Sequence, residues 1–181
     1  ADFEEDSDLA SVTMEGVSAD GSGFTWWTED LMDFAGKSAY DTHALRLRWS
    51  SRAMYTLTLP ETDLTDMSLH FDICDLDEAA VNRGEYSLVD GKIILTDADG
   101  NTATAQIADH ASVYPIWPVK TDKLDYIFNT CTYQKAFSTV SIPVSDFVID
   151  GDTFDAATVC QIAWRFTNGG QVALDNIGLV N

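Results

Sequence analysis

Apolar and polar residues alternate with a period of two along nearly the whole chain, and helical spacing is almost absent. Ala44-Leu45-Arg46-Leu47-Arg48-Trp49 alternates apolar with basic residues. In Met67–Cys74, Leu69, Phe71 and Ile73 fall on one face, with His70, Asp72 and Cys74 on the other. Cys160, Ile162, Trp164 and Phe166 oppose Gln161, Ala163 and Arg165 in the same way. Further strands are predicted at Ser11–Glu15, Phe24–Trp27, Met54–Leu59, Lys92–Thr96, Thr102–Ile107, Tyr126–Thr132, Thr139–Ile142 and Val172–Leu179. Asp75–Asn82 reads as a short helix or a structured loop. Ten or more short strands separated by turn signals predict an all-β fold, a two-sheet antiparallel sandwich or barrel.

The punctuation agrees. Asp99-Gly100-Asn101 predicts a tight hairpin turn, and Gly169-Gly170 joins the last two strands. Pro115 and Pro118 bracket Trp117 in a stretch that is not a central strand. With 181 residues and no repeat or composition break, the chain reads as one domain, 1–181.

Charge narrows the partners. Thirty Asp and Glu against ten Lys and Arg leave a net charge of -20, which repels nucleic acid and anionic lipid and suits a secreted, extracellular protein. The same charge disfavours polyanionic glycans unless a cation bridges them. No apolar run is long enough to span a membrane. The opening Ala1-Asp2-Phe3-Glu4 reads as a mature N-terminus or a domain boundary. Cys74, Cys131 and Cys160 permit at most one internal disulfide and have no metal-ligand spacing.

Motifs for catalysis are missing: no Gly-x-Ser-x-Gly elbow, no phosphate-binding glycine loop and no His-Glu-x-x-His. His70 and Asp72 share a strand face and so suit a metal or substrate, but in so acidic a chain such a pair is expected by chance. Asp97-Ala98-Asp99-Gly100-Asn101 has its glycine at the fourth rather than the sixth position of a calcium loop. The twelfth position is Ala108, so a hairpin explains the segment better. The aromatics carry more promise. Trp26 and Trp27 are adjacent in a strand, so one faces each side, and Tyr114, Trp117, Tyr126 and Tyr133 cluster later in the chain. Flat aromatic faces stack on sugar rings, whereas the plain alternative for each is core or interfacial packing. Arg46 and Arg48 share a face and either pair with neighbouring carboxylates or donate to a ligand.

The two ends of the chain carry the most specific signal. An opening Asp2-Phe3-Glu4-Glu5 and a closing Leu174-Asp175-Asn176-Ile177-Gly178-Leu179 resemble jelly-roll carbohydrate-binding modules with a galactose-binding-like fold. Family 11 is the closest in pattern. Gly36-Lys37-Ser38, Leu69–Ile73, Phe137–Phe147 and Ile162–Phe166 follow in order between the ends. The resemblance implies a structural calcium tying the termini together, with Glu4 and Asp175 as ligands, Asp2 a further one and backbone carbonyls near Lys37 completing the shell. It also implies a ligand groove across a concave sheet.

The expected function is thus a non-catalytic module that binds a neutral, β-glucan-like polysaccharide and targets a covalently linked, secreted hydrolase to it. Trp26 or Trp27, Trp117, Tyr126 and Tyr133 are expected to stack on sugar, and Arg46, Arg48, Gln134 and Arg165 to bond hydroxyls. One rival is an accessory jelly-roll domain with no glycan site, distinguished by the lack of an exposed aromatic platform. The other is a jelly-roll hydrolase or lyase, hinted at only by His70 with Asp72.

Overall fold

The computed structural model describes residues 12–15, 23–27, 44–49, 52–77, 80, 88–119, 132–134, 136–151 and 153–181; at 12–15, 23–27, 44, 46, 53, 119 and 132–134 it describes the backbone alone. Thirteen strands follow one another: β1 (Val12–Glu15), β2 (Gly23–Trp27), β3 (Ala44–Trp49), β4 (Ala53–Thr62), β5 (Ser68–Asp75), β6 (Gly91–Asp97), β7 (Thr102–Gln106), β8 (Trp117–Val119), β9 (Thr132–Gln134), β10 (Ser138–Pro143), β11 (Val148–Asp150), β12 (Val159–Phe166) and β13 (Gly170–Val180). A single helical turn, α1 (Ile107–His110), follows β7.

The strands form a six-stranded sheet in the order β1-β4-β12-β6-β7-β11 and a five-stranded sheet in the order β10-β5-β13-β3-β2; β8 and β9 make a separate ribbon. Every pairing is antiparallel. The inward positions of both sheets meet in one apolar core that includes Leu47, Phe71, Ile73, Ile93, Leu95, Val140, Ile162 and Leu174. Aromatic rings fix its geometry. Trp49 stacks on Phe166 with centroids 4.2 Å apart, and Phe71 meets Trp164 edge-on at 5.7 Å. Each such contact adds about 0.5–1.5 kcal/mol beyond area burial. The Trp49 indole N–H donates to the Asn168 carbonyl in the β12–β13 turn. Gly91 is required by packing, because a Cβ there would lie 2.8 Å from Phe166 Cε1.

Alternation located the strands closely, and the two-sheet sandwich stands as expected. β3 has the expected bounds, and the other anticipated strands shift by one to three residues at their ends where they are described. β11 was not anticipated, because its three residues are all exposed and carry no alternation signal. Trp117–Val119 is a strand, but only in the ribbon, as Pro118 requires. The Asp97–Asn101 hairpin turn is present: Gly100 takes φ +86°, and Asp97 and Asn101 close it backbone to backbone at 3.0 Å. The Asp97 carboxylate is spent on that turn. It accepts from the N–H groups of Asp99, Asn101 and Asp155 and from the Asn101 side chain, which leaves no calcium-loop chemistry to perform. Tyr126, Cys131 and half of Asp75–Asn82 (78, 79, 81 and 82) lie outside the described residues.

Candidate functional site: a groove across the six-stranded sheet

Outward positions of β4, β12, β6 and β7 fall into three rows across the strands. The middle row is Thr56, Ala163, Ile94 and Thr104, each the register partner of the next. Thr56 and Ala163 are 6% and 4% exposed although they stand at outward positions. One flank is Met54, Arg165 and Lys92; the other is Gln161, Thr96 and Thr102, with Asp150 on β11 beyond. These residues line a groove of about 260 Å³. At ~4.8 Å between strands its floor runs about 14 Å from β4 to β7, room for a short run of sugar rings.

The chemistry of the groove is polar and pre-set. Small and β-branched residues make the floor, and hydroxyl, amide and cationic groups line the rims. Threonine hydroxyls both donate and accept, glutamine adds an amide, and arginine presents a fixed fork of donors. A second cavity, about 480 Å³, lies by the β4–β5 and β10–β11 connections, where Met67, Val144, Phe147, Ile149 and Phe154 meet Thr65, Asp66, Ser68 and Ser145.

Two aromatics are exposed in and just before the ribbon: Trp117 is 62% exposed and Tyr114 69%. In the β8–β9 ribbon Trp117 pairs with Gln134 and Pro118 with Tyr133. Val89 N–H donates to the Val113 carbonyl at 3.0 Å, which roots the ribbon three residues before Lys92. The Ile116 N–H donates to the Asp75 carboxylate at the end of β5. Burial pushes the Asp75 carboxyl above its usual range, and the N–H groups of Asp77, Leu76 and Ile116 only partly offset this.

The expected site residues are therefore divided. Trp117, Tyr133 and Gln134 share the ribbon, and Arg165 lines the groove. Arg48 is exposed on the outward face of the five-stranded sheet, and the position of Arg46, opposite Ala173, lies on that face as well. Trp26 pairs with buried Leu45 and so sits at a core-side position, while Trp27, opposite Ala44, sits at an outward one. The outward face of the five-stranded sheet is closed at its centre. Asp72, Cys74, Ala173 and Asp175 are all buried there, and Cys74 and Ala173 form a second apolar cluster with Leu76 and Phe137. On the same face the His70 ring meets Ser141 Oγ at 2.7 Å, and Asp72 accepts from Thr139 at 2.6 Å and from Asn176 at 2.9 Å. His70 and Asp72 are thus bonded to neighbouring strands.

Of the expected calcium ligands, Asp175 is described. It is 2% exposed, it faces Asp72 across the β5–β13 ladder, and its Oδ1 accepts from the Asn176 N–H at 2.8 Å. Two buried carboxylates side by side offer the oxygen chemistry a hard cation takes. Among the described residues no group of three or more His, Cys, Asp or Glu could hold a metal, and Asp2, Glu4 and Lys37 lie outside them. The groove itself, with Thr56, Gln161, Lys92 and Thr104, went unread in the sequence. Its only signal is the run of Thr, Gln, Lys and Arg at outward positions of consecutive strands.

No protein-family model matches the sequence, and no curated protein matches it. Solved structures do. The chain superposes along its full length on 93% of the family 11 carbohydrate-binding module from Clostridium thermocellum in complex with a β-1,3-1,4-mixed-linked tetrasaccharide, at TM-score 0.61 and 14% identity. The fold is a carbohydrate-binding-module jelly roll. The family 30 module of a cellulosomal cellulase of Clostridium thermocellum matches at TM-score 0.53 and 18% identity, over 89% of either chain. A family 28 module specific for non-crystalline cellulose matches at 0.54 and 11%, over 98% of this chain and 92% of that one. At such identities the jelly roll is what these proteins share with this one. Any ligand has to be argued from its own groove.

Proposed function

We propose that this jelly roll is a non-catalytic module that binds a polysaccharide in the groove across its six-stranded sheet. The observation that carries the reading is the pair of outward-facing but buried floor residues, Thr56 and Ala163. A groove with a buried floor, rimmed by hydroxyl, amide and cationic groups, suits a chain of sugars lying across the strands. Trp117 and Tyr114, exposed in and just before the ribbon, offer further stacking surfaces. A β-glucan-like backbone is the ligand this reading favours. The module would be secreted and linked to a hydrolase, raising that enzyme's local concentration on its substrate. A structural calcium on Asp175, with Glu4, Asp2 and carbonyls near Lys37 as the other ligands, belongs to the same proposal. Bound there, the ion would neutralise buried carboxylate charge.

Affinity electrophoresis against mixed-linkage β-glucan, laminarin, xyloglucan, xylan and mannan tests the reading. Retardation by at least one polymer, abolished by Ala163→Trp at an unchanged melting temperature, is the expected result. Migration unaffected by every polymer would favour the accessory-domain alternative.

A further inference from the structure

Lys92 on β6 and Arg165 on β12 are direct cross-strand partners and form one wall of the groove. Like charges placed directly opposite one another destabilise a sheet. Both side chains are half-buried, whereas Arg48 and Arg52, the other Lys and Arg side chains described, are exposed. In a chain with three acidic residues for every basic one, neither Lys92 nor Arg165 forms an ion pair among the described residues. The described carboxylates nearby do not serve them. Asp150 lies at the opposite corner, roughly 17 Å of backbone from Lys92 by strand spacing and residue rise, well past a Debye length of ~8 Å at physiological salt. Exposed Asp90 precedes β6 without pairing to either. The position of Glu15 ends the same row on β1, two strands from Arg165.

A half-buried pair of unneutralised cations is costly to hold together, and an anion in the groove offsets that cost. We infer that the groove selects an anionic group, a carboxylate or a sulfate ester, carried on an otherwise neutral glycan. This rests on the glycan-binding reading above and names the class of chain that the groove takes. Arg165 can grip such a group with two parallel N–H bonds while Lys92 adds a point charge. The net charge of -20 sets the density of that charge. A polymer charged on every sugar is repelled as a whole, whereas one charge per several sugars meets the contact pair with little long-range repulsion.

The test is calorimetry on the whole chain with two matched pairs of polymers. One pair is a glucuronoxylan and its carboxyl-reduced product; the other is a lightly sulfated galactan and its desulfated product. One charged member is expected to bind at least about tenfold more tightly than its neutral product. The preference should shrink in about 0.5 M NaCl and vanish in Lys92→Gln/Arg165→Gln at an unchanged melting temperature. Which pair responds separates carboxylate from sulfate. Equal binding of charged and neutral members, or a preference that survives the double substitution, would overturn the inference and leave the groove as a neutral-glycan site. Binding to none of the four, nor to the neutral panel above, would overturn both.

Discussion

The two outward faces of this sandwich arise from the same alternation and end in opposite conditions. On the six-stranded sheet, Thr56 and Ala163 are buried at outward positions and line an open groove. On the five-stranded sheet, Cys74 and Ala173 pack with Leu76 and Phe137, and Asp72 and Asp175 are buried beside them. Period-two patterning says that a strand has two faces; it does not say whether the second one meets water. Composition does. The open face carries Thr, Gln, Lys and Arg, which tolerate half-burial. The closed face carries Ala, Cys and carboxylates, and the oxygens of Asp72 are hydrogen-bonded across strands.

Filling each face with the same side chain is the sharpest way to break this comparison. Ala163→Trp would place an indole in the trough; glycan binding should fall at least about thirtyfold while the melting temperature moves by no more than about 2 °C. Ala173→Trp would force the same indole into a closed cluster. Overpacking of ~1–3 kcal/mol, at ~2–4 °C per kcal/mol for a chain of this size, predicts a loss of about 2–12 °C. Equal melting losses would mean that the two faces are equally packed.

Calcium removal probes the closed face alone. If the ion proposed at Asp175 is present at about a hundredfold its dissociation constant, it contributes ~2.7 kcal/mol, so EDTA should lower the melting temperature by roughly 5–11 °C. Asp175→Asn should abolish most of that response and leave groove affinity unchanged. An EDTA-insensitive melt would remove the ion and leave Asp72 and Asp175 to hydrogen bonding.

Fold and site were legible to different degrees for a physical reason. Strands buried on one side announce themselves, and so β3, β5, β10 and β12 were placed almost residue by residue. β11 was invisible because Val148, Ile149 and Asp150 are all exposed. The groove was harder still. It depends on Arg165, Lys92 and Gln161, from two strands some seventy residues apart, falling into adjacent register. Arg46 and Arg48 looked equivalent to Arg165 because all three are basic residues at outward positions; only the sheet order assigns them to opposite sides of the molecule. The positive φ of Asn176 and the register shift between Asp175 and Gly178 are likewise products of pairing.

Two carboxylates, one from each sheet, give the finest contrast. Asp97 ends β6, and burial there disfavours its charge; the Asn101 side chain and the N–H groups of Asp155, Asn101 and Asp99 outweigh that cost, and its carboxyl is held below the usual range. Its contribution is therefore present above the unfolded carboxylate value of ~3.9 and is lost as pH falls through the lower folded one. Asp97→Ala should melt several degrees lower at neutral pH, with the difference from wild type closing in acid. Asp75 ends β5 and behaves oppositely. Burial dominates and raises its carboxyl, so its contribution is greatest below the unfolded value and declines as pH rises through the higher folded one. Asp75→Asn keeps an acceptor for the Asp77 N–H, now 2.8 Å from Oδ1, and removes the buried charge. Its melting temperature at neutral pH should match or slightly exceed that of wild type, within about 2 °C, and in acid it should fall below it. A substitution that instead destabilises more at neutral pH than in acid would mean that the ribbon's Ile116 N–H needs the charged carboxylate, which would make Asp75 the anchor of the exposed aromatics.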